Sequence, residues 1–123
     1  MKKAKTILVV EDEAVLLQAL VNKLTKEKFH VLTAKNGADG LAMALAEKPD
    51  LIILDIIMPV MDGMTMLSKL REDSWGATAK VIILTNLGEA EKVSLAMSQG
   101  VHDFLIKADW KLEDVIKKIR EII

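Results

Sequence analysis

The chain contains no cysteine. Disulfides, thiolate metal sites and a cysteine nucleophile are therefore excluded, and a reducing interior is compatible with the sequence. There is no excess of charge of either sign: 17 Lys and Arg against 18 Asp and Glu give a formal net charge of -1. The basic footprint of a nucleic-acid-binding surface is missing, so no direct contact with nucleic acid is expected. Long hydrophobic runs are also missing. The N-terminus MKKAKTILVV starts with positive charge, but its apolar run lasts about five residues before Glu11 and Asp12 interrupt it, too short for a signal-peptide core or a membrane span. A cytoplasmic protein without membrane attachment is expected. No stretch is linker-like or low-complexity, so nothing marks a domain boundary.

What is present fits a single domain spanning residues 1–123. With 51% hydrophobic and 28% charged residues, the chain can bury a real core but has no room for a second domain of any size. Short β-rich apolar runs alternate with longer segments of helical period: TILVV, EAVLLQALVNKLTKE, HVLTA, GADGLAMALAEK, and onward. That rhythm predicts βαβ units and a parallel sheet of five strands with five helices. The runs at Thr6 to Val10, Leu51 to Leu54 and Val81 to Leu84 are apolar nearly throughout, as strands covered by helices on both faces should be. They are placed at the sheet centre. Leu16, Leu20 and Leu24, then Leu41 and Leu45, then Leu112, Val115, Ile116 and Ile119 mark helical stripes. Asn36-Gly37, Pro49-Asp50, Gly76, Gly88 and Gly100 fall where the units should turn. The last helical pattern is still running where the sequence stops at Ile123, which is compatible with excision from a longer protein.

In an open parallel α/β sheet the ligand site lies beyond the carboxyl ends of the strands, where strand order reverses. The first predicted strand ends in Glu11-Asp12, the third in Asp55, the fourth in Thr85-Asn86 and the fifth in Lys107. Three carboxylates in one crevice repel one another, and a hard cation with oxygen ligands relieves that repulsion, so magnesium is the expected metal. A carboxylate beside such an ion can attack a phosphoryl group, which makes Asp55 the candidate nucleophile. Thr85 could hold the product phosphate by a hydrogen bond and Lys107 as a point charge. A charged residue just past a strand end usually does no more than meet water. Four such residues and Thr85 at one edge, of complementary chemistry, are a poor match to that simpler account.

These residues sit in motifs that resemble the receiver domains of bacterial response regulators over essentially the whole chain. The motifs are ILVVED at Ile7 to Asp12, DLIILDIIMPVMDG at Asp50 to Gly63, VIILTN at Val81 to Asn86 and DFLIK at Asp103 to Lys107. The resemblance implies a doubly wound (βα)5 three-layer α/β sandwich of the flavodoxin-like, CheY-like type, with parallel strand order 2-1-3-4-5, an order for which a receiver is itself a known example. It implies that Asp55 is phosphorylated by a histidine kinase or phosphotransfer protein, with Mg2+ held by Glu11, Asp12, Asp55 and the Ile57 carbonyl. Lys107 would pair with the phosphoryl group, Thr85 would bond it, and Phe104 would be the aromatic switch that turns inward as Thr85 moves. An unknown downstream protein would be met on the face of the fourth helix, fifth strand and fifth helix, where receivers also form homodimers. The chain would be no enzyme beyond catalysing its own phosphorylation and dephosphorylation.

Departures from the family pattern are informative. Ala108 follows Lys107 where the family nearly always has proline, and a non-proline cis bond would cost about 3 kcal/mol, so a trans peptide and a reshaped loop around Asp109 and Trp110 are expected. Asn86 is bulkier than the residue usual after the switch threonine and would narrow the approach to Asp55. Ile57 and Leu87 are apolar where polar groups often orient the attacking water, which predicts a comparatively long-lived aspartyl phosphate. Ala108 and Asn86 also motivate the alternative of an interaction module that works without phosphorylation. A magnesium-dependent aspartyl hydrolase fits poorly because its second acid would fall at Ile57. A flavin site fits poorly because the first turn is acidic and lacks a phosphate-cradling loop. Met58, Met61, Met64 and Met66 are read as loop and core filling, His30 and His102 as structural, and Asp62 as a helix cap.

Overall fold

The structure, a computed structural model, describes residues 4–85, 94, 97–106 and 111–123. Five parallel strands, β1 (Thr6–Val10), β2 (His30–Ala34), β3 (Leu51–Asp55), β4 (Val81–Thr85) and β5 (Asp103–Ile106), form one sheet in the order β2-β1-β3-β4-β5. The helices among the described residues are α1 (Ala14–Lys26), α2 (Gly37–Glu47), α3 (Gly63–Glu72) and α4 (Leu112–Ile122), with a short 3-10 turn at Gly76–Thr78. Here α4 is the fifth helix of the sequence pattern. The expected fourth falls mostly outside the described residues, of which Ser94, Met97 and Ser98 are helical.

The unbroken apolar runs explain the layering. Successive side chains of a strand point to opposite faces, so an all-apolar strand must be covered twice. Ile7, Val9, Leu51, Ile53, Ile82 and Leu84 pack with Leu17, Leu20 and Leu24 of α1 and with Val115, Ile116 and Ile119 of α4. Leu8, Val10, Ile52, Leu54, Val81 and Ile83 pack on the other face with Ala44 of α2 and Met66, Leu67 and Leu70 of α3. Each such buried aliphatic contributes about 2 kcal/mol of transfer free energy, so the two faces together anchor the domain. Two stripes differ from the expected ones. In α1 Leu17 is buried beside Leu20 and Leu24 while Leu16 is half-buried, and α2 buries Gly40 and Ala44 with Leu41 and Leu45 only half-covered. Small residues facing the sheet let α2 lie close to it, and its larger side chains then flank the contact instead of filling it.

Local chemistry starts the helices where the pattern changes. The Asn36 Oδ1 accepts from the Asp39 N–H at 2.8 Å, and the Asp62 Oδ1 accepts from the Thr65 N–H at 2.7 Å, so Asp62 is the cap of α3. At α4 the Asp114 carboxylate reaches back to accept the Lys111 N–H at 2.9 Å. A side-chain cap of this kind stabilises a helix by about 1 kcal/mol. With α1 and α4 on one face and α2 and α3 on the other, the strand order reverses between β1 and β3, and a crevice opens beyond their carboxyl ends.

Candidate functional site

The parallel register sets the site. Val10 pairs with Leu54, so the next residue of each strand, Glu11 and Asp55, come level at the reversal point. Glu11 is 0% exposed; its N–H donates to the Ala34 carbonyl at 3.0 Å and its Oε2 accepts the Glu13 N–H at 3.0 Å. Asp55 is 4% exposed, and Asp12 reaches solvent. One carboxylate oxygen from each of Glu11, Asp12 and Asp55 lies within 4.8 Å of the others. An octahedral magnesium ion holds adjacent ligands about 3 Å and opposed ligands about 4 Å apart, so the three oxygens would have to draw closer together to share one. Two buried acids and an exposed third, all oxygen donors, fit a hard divalent cation and not a soft one.

The backbone around Asp55 is tightly enclosed. The Gly63 N–H donates to the Ile56 carbonyl at 2.7 Å, and a Cβ added at Gly63 would collide with the Asp55 carbonyl oxygen and lie 2.9 Å from its carbonyl carbon. Glycine is required at the first position of α3 because the helix start rests directly on the Asp55 main chain. The sequence carried a faint signal of this: Asp62 caps the helix without needing glycine after it. In the intervening loop, the Met61 N–H donates to the Pro59 carbonyl at 2.8 Å around Val60, whose φ is 70°. This is a γ-turn of the strained, positive-φ kind. The other positive-φ non-glycine residues described, Lys28 and Lys48, end helices, where that conformation is common. Val60 is β-branched and 84% exposed, and nothing in the sequence marked it.

The remaining expected residues fall into place unequally. Ile57, two residues past Asp55, is half-exposed. Thr85 ends β4 one step beyond Leu84, the partner of Asp55, and itself pairs with Ile106, so β4 and β5 end level with each other and one residue beyond β3. Phe104 pairs with Ile83 and is half-buried. Lys107, Asn86, Leu87, Ala108, Asp109 and Trp110 lie outside the described residues. Met58 and Met66 are buried in the core with Met61 and Met64 packed against it, while His30 and His102 are exposed at strand starts far from the acids.

A doubly wound parallel sheet in this order, with three acids at its reversal point, defines an α/β domain whose candidate cation site lies beyond the carboxyl ends of its strands. The family model for the response regulator receiver domain matches residues 7–120, and the chain belongs to that family. It is similar to Response regulator PleD of Caulobacter vibrioides, 40% identical over 102 residues that make up 82% of this chain and 22% of that protein. Protein PilH of Pseudomonas aeruginosa is 36% identical over 101 residues, 82% of this chain and 84% of PilH. The chain thus spans about a fifth of the first relative and most of the second. Among solved structures, the chemotaxis response regulator CheY4 of Vibrio cholerae superposes with a TM-score of 0.89 at 26% identity, covering 98% of this chain and 100% of that one. The receiver domain of the sensor histidine kinase PA1611 of Pseudomonas aeruginosa, which has magnesium coordinated in its active-site cleft, has a TM-score of 0.88 with 98% of each chain covered; at 22% identity it attests the fold.

Proposed function

We propose that this receiver accepts a phosphoryl group on Asp55 from a histidine kinase or phosphotransfer protein in a magnesium-dependent reaction, and then changes its affinity for a downstream protein. The observation that carries this is the convergence of Glu11, Asp12 and Asp55 within 4.8 Å, with Asp55 at the end of the central strand. Glu11, Asp12, Asp55 and the Ile57 carbonyl are the proposed magnesium ligands, and the ion supplies charge neutralisation on the transferring oxygens. An Asp55 carboxylate oxygen attacks phosphorus, the P–N bond of the phosphohistidine breaks, and the imidazole nitrogen keeps the electron pair. Thr85 and Lys107 are assigned to the phosphoryl oxygens. Hydrolysis reverses the gain: water attacks phosphorus, the acyl P–O bond breaks and the Asp55 carboxylate returns. No other turnover is assigned to the chain.

The output surface is assigned to β5, α4 and the fourth helix of the sequence pattern. Its support is a groove of about 390 Å³ between β5 and α4, floored by Phe104 and Ile106 and walled by Asp114, Lys117, Lys118 and Glu121. Phe104 sits both against the core and on this groove, as a switch residue should. A cytoplasmic location is part of this proposal; among the described residues no helix is long and apolar enough to cross a membrane. Incubation with acetyl phosphate and magnesium, followed by intact mass measurement, tests the reading. One phosphoryl mass should be gained by the natural chain and not by Asp55→Asn. No gain would favour the phosphorylation-independent interaction module.

A further inference from the structure

On the opposite edge of the sheet from the acids, one side chain ties together the entries to two strands. Arg71, in the last turn of α3, donates from Nε to the Gln99 carbonyl at 2.7 Å and from one terminal nitrogen to the carbonyls of Gly76 at 2.7 Å and Ala79 at 2.8 Å. Its other terminal nitrogen donates to the Gly100 carbonyl at 3.2 Å. Gly76 and Ala79 belong to the turn that enters β4, while Gln99 and Gly100 precede β5. Three residues earlier on the same face of α3, Ser68 Oγ accepts from the Gln99 side-chain amide at 2.9 Å. Gly100 has φ 78°, a conformation that turns the chain at this point without a side-chain penalty. Four hydrogen bonds from a rigid planar cation to carbonyls of separate segments amount to a strong, geometrically exacting joint.

The joint's location gives it a role. The chain that leaves the acceptor edge at Thr85 returns to the sheet through Gln99 and Gly100, so its far end is the end that Arg71 and Ser68 hold. We propose that Arg71 is a positioning residue for signal output: by fixing the entries to β4 and β5, it makes a displacement that begins at Thr85 emerge at β5 and the α4 groove and not be lost by slippage at the far edge. This inference rests on the phosphorylation of Asp55 proposed above. A lysine cannot reproduce it, because an ammonium lacks the planar fork that reaches separate segments at once.

Amide hydrogen exchange on the full chain, with and without acetyl phosphate and magnesium, tests it. In the natural protein, phosphorylation should alter exchange at Leu105 and Ile106 while the Gly100 and His102 amides, bonded to the Met97 and Val81 carbonyls, stay protected. In Arg71→Met, and to a lesser degree in Arg71→Lys, Gly100 and His102 should exchange about tenfold faster. The phosphorylation-dependent change at Leu105 and Ile106 should shrink at least about twofold, although intact mass shows Asp55 still modified. Leu24→Ala, a core loss in α1 away from the joint, controls for global destabilisation and should leave the response at Leu105 and Ile106 in place. A full response at Leu105 and Ile106 in both Arg71 variants, or loss of Gly100 and His102 protection when the natural protein is phosphorylated, overturns the inference alone. Absence of any mass gain in the natural protein overturns the phosphorylation reading and the inference with it.

Discussion

Replacing Val60 by glycine should make this protein more stable, although it deletes an isopropyl group. A non-glycine residue held at positive φ costs about 1–2 kcal/mol, with a β-branched side chain at the upper end of that range. Val60 sits there with φ 70°, and its side chain is 84% exposed, so removing it sacrifices almost no buried apolar surface. Against the relief stands the greater freedom of glycine in the unfolded chain, about 0.4–1 kcal/mol. The net expectation is a gain of about 1 kcal/mol. For a domain of this size that raises the unfolding midpoint temperature by about 4 °C. Urea denaturation followed by circular dichroism measures it directly: the midpoint should rise while the slope stays constant, because the surface exposed on unfolding is unchanged. A midpoint equal to or below that of the natural protein would refute the strain assignment, since no lost contact could account for it. The Met61 N–H to Pro59 carbonyl bond should survive, because glycine adopts the same turn.

Three further outcomes follow from the site and its surroundings. Magnesium should raise the melting temperature of the natural chain in proportion to the logarithm of its concentration, and Asp55→Asn or Glu11→Gln should flatten that dependence in a thermal shift assay. Gly63→Ala should destabilise by about 3 kcal/mol in chemical denaturation, because its Cβ has to displace the Asp55 backbone, and the folded remainder should take up phosphate from acetyl phosphate more slowly. The hydrogen bond and charge of Asp103 raise the Lys118 pKa above its ordinary 10.5. A group whose pKa is higher folded than unfolded contributes stability that is complete below the unfolded value and lost as pH climbs through the folded one. The natural protein should therefore lose a small increment of stability above about pH 10 that Asp103→Asn lacks, as read by denaturation at pH 8 and pH 11.

The central strands and the acid cluster were legible because their signals are local. Thr6 to Val10, Leu51 to Leu54 and Val81 to Leu84 announce themselves by composition, and the observed strands coincide with those runs, extended to Asp55 and Thr85. Asp62 as a cap follows from its position before a helical period. Arg71 was illegible for the opposite reason. On a helix pattern it reads as a solvated base in the last turn, and only tertiary structure brings Gln99, Gly76 and Ala79 to it. The 3-10 turn with Asp73 accepting from the Trp75 and Gly76 N–H groups, both at 2.9 Å, appeared in the sequence only as a glycine breaker. The contact of Gly63 with Asp55 closes a loop on itself, and no periodicity encodes a loop that folds back.

Strands apolar on both faces have a weakness that alternating strands avoid: hydropathy does not fix their register. Sliding β3 by one residue against β1 would exchange one aliphatic for another through most of its length, and the core would scarcely register the difference. The ends resist. Asp50 Oδ2 accepts the Thr6 N–H at 2.7 Å at one end, while at the other the same slip would take Asp55 out of level with Glu11. The acids proposed to carry this domain's chemistry thus also mark the register of β1 and β3, and a variant stripped of all of them should lose that constraint on strand pairing together with the proposed phosphorylation.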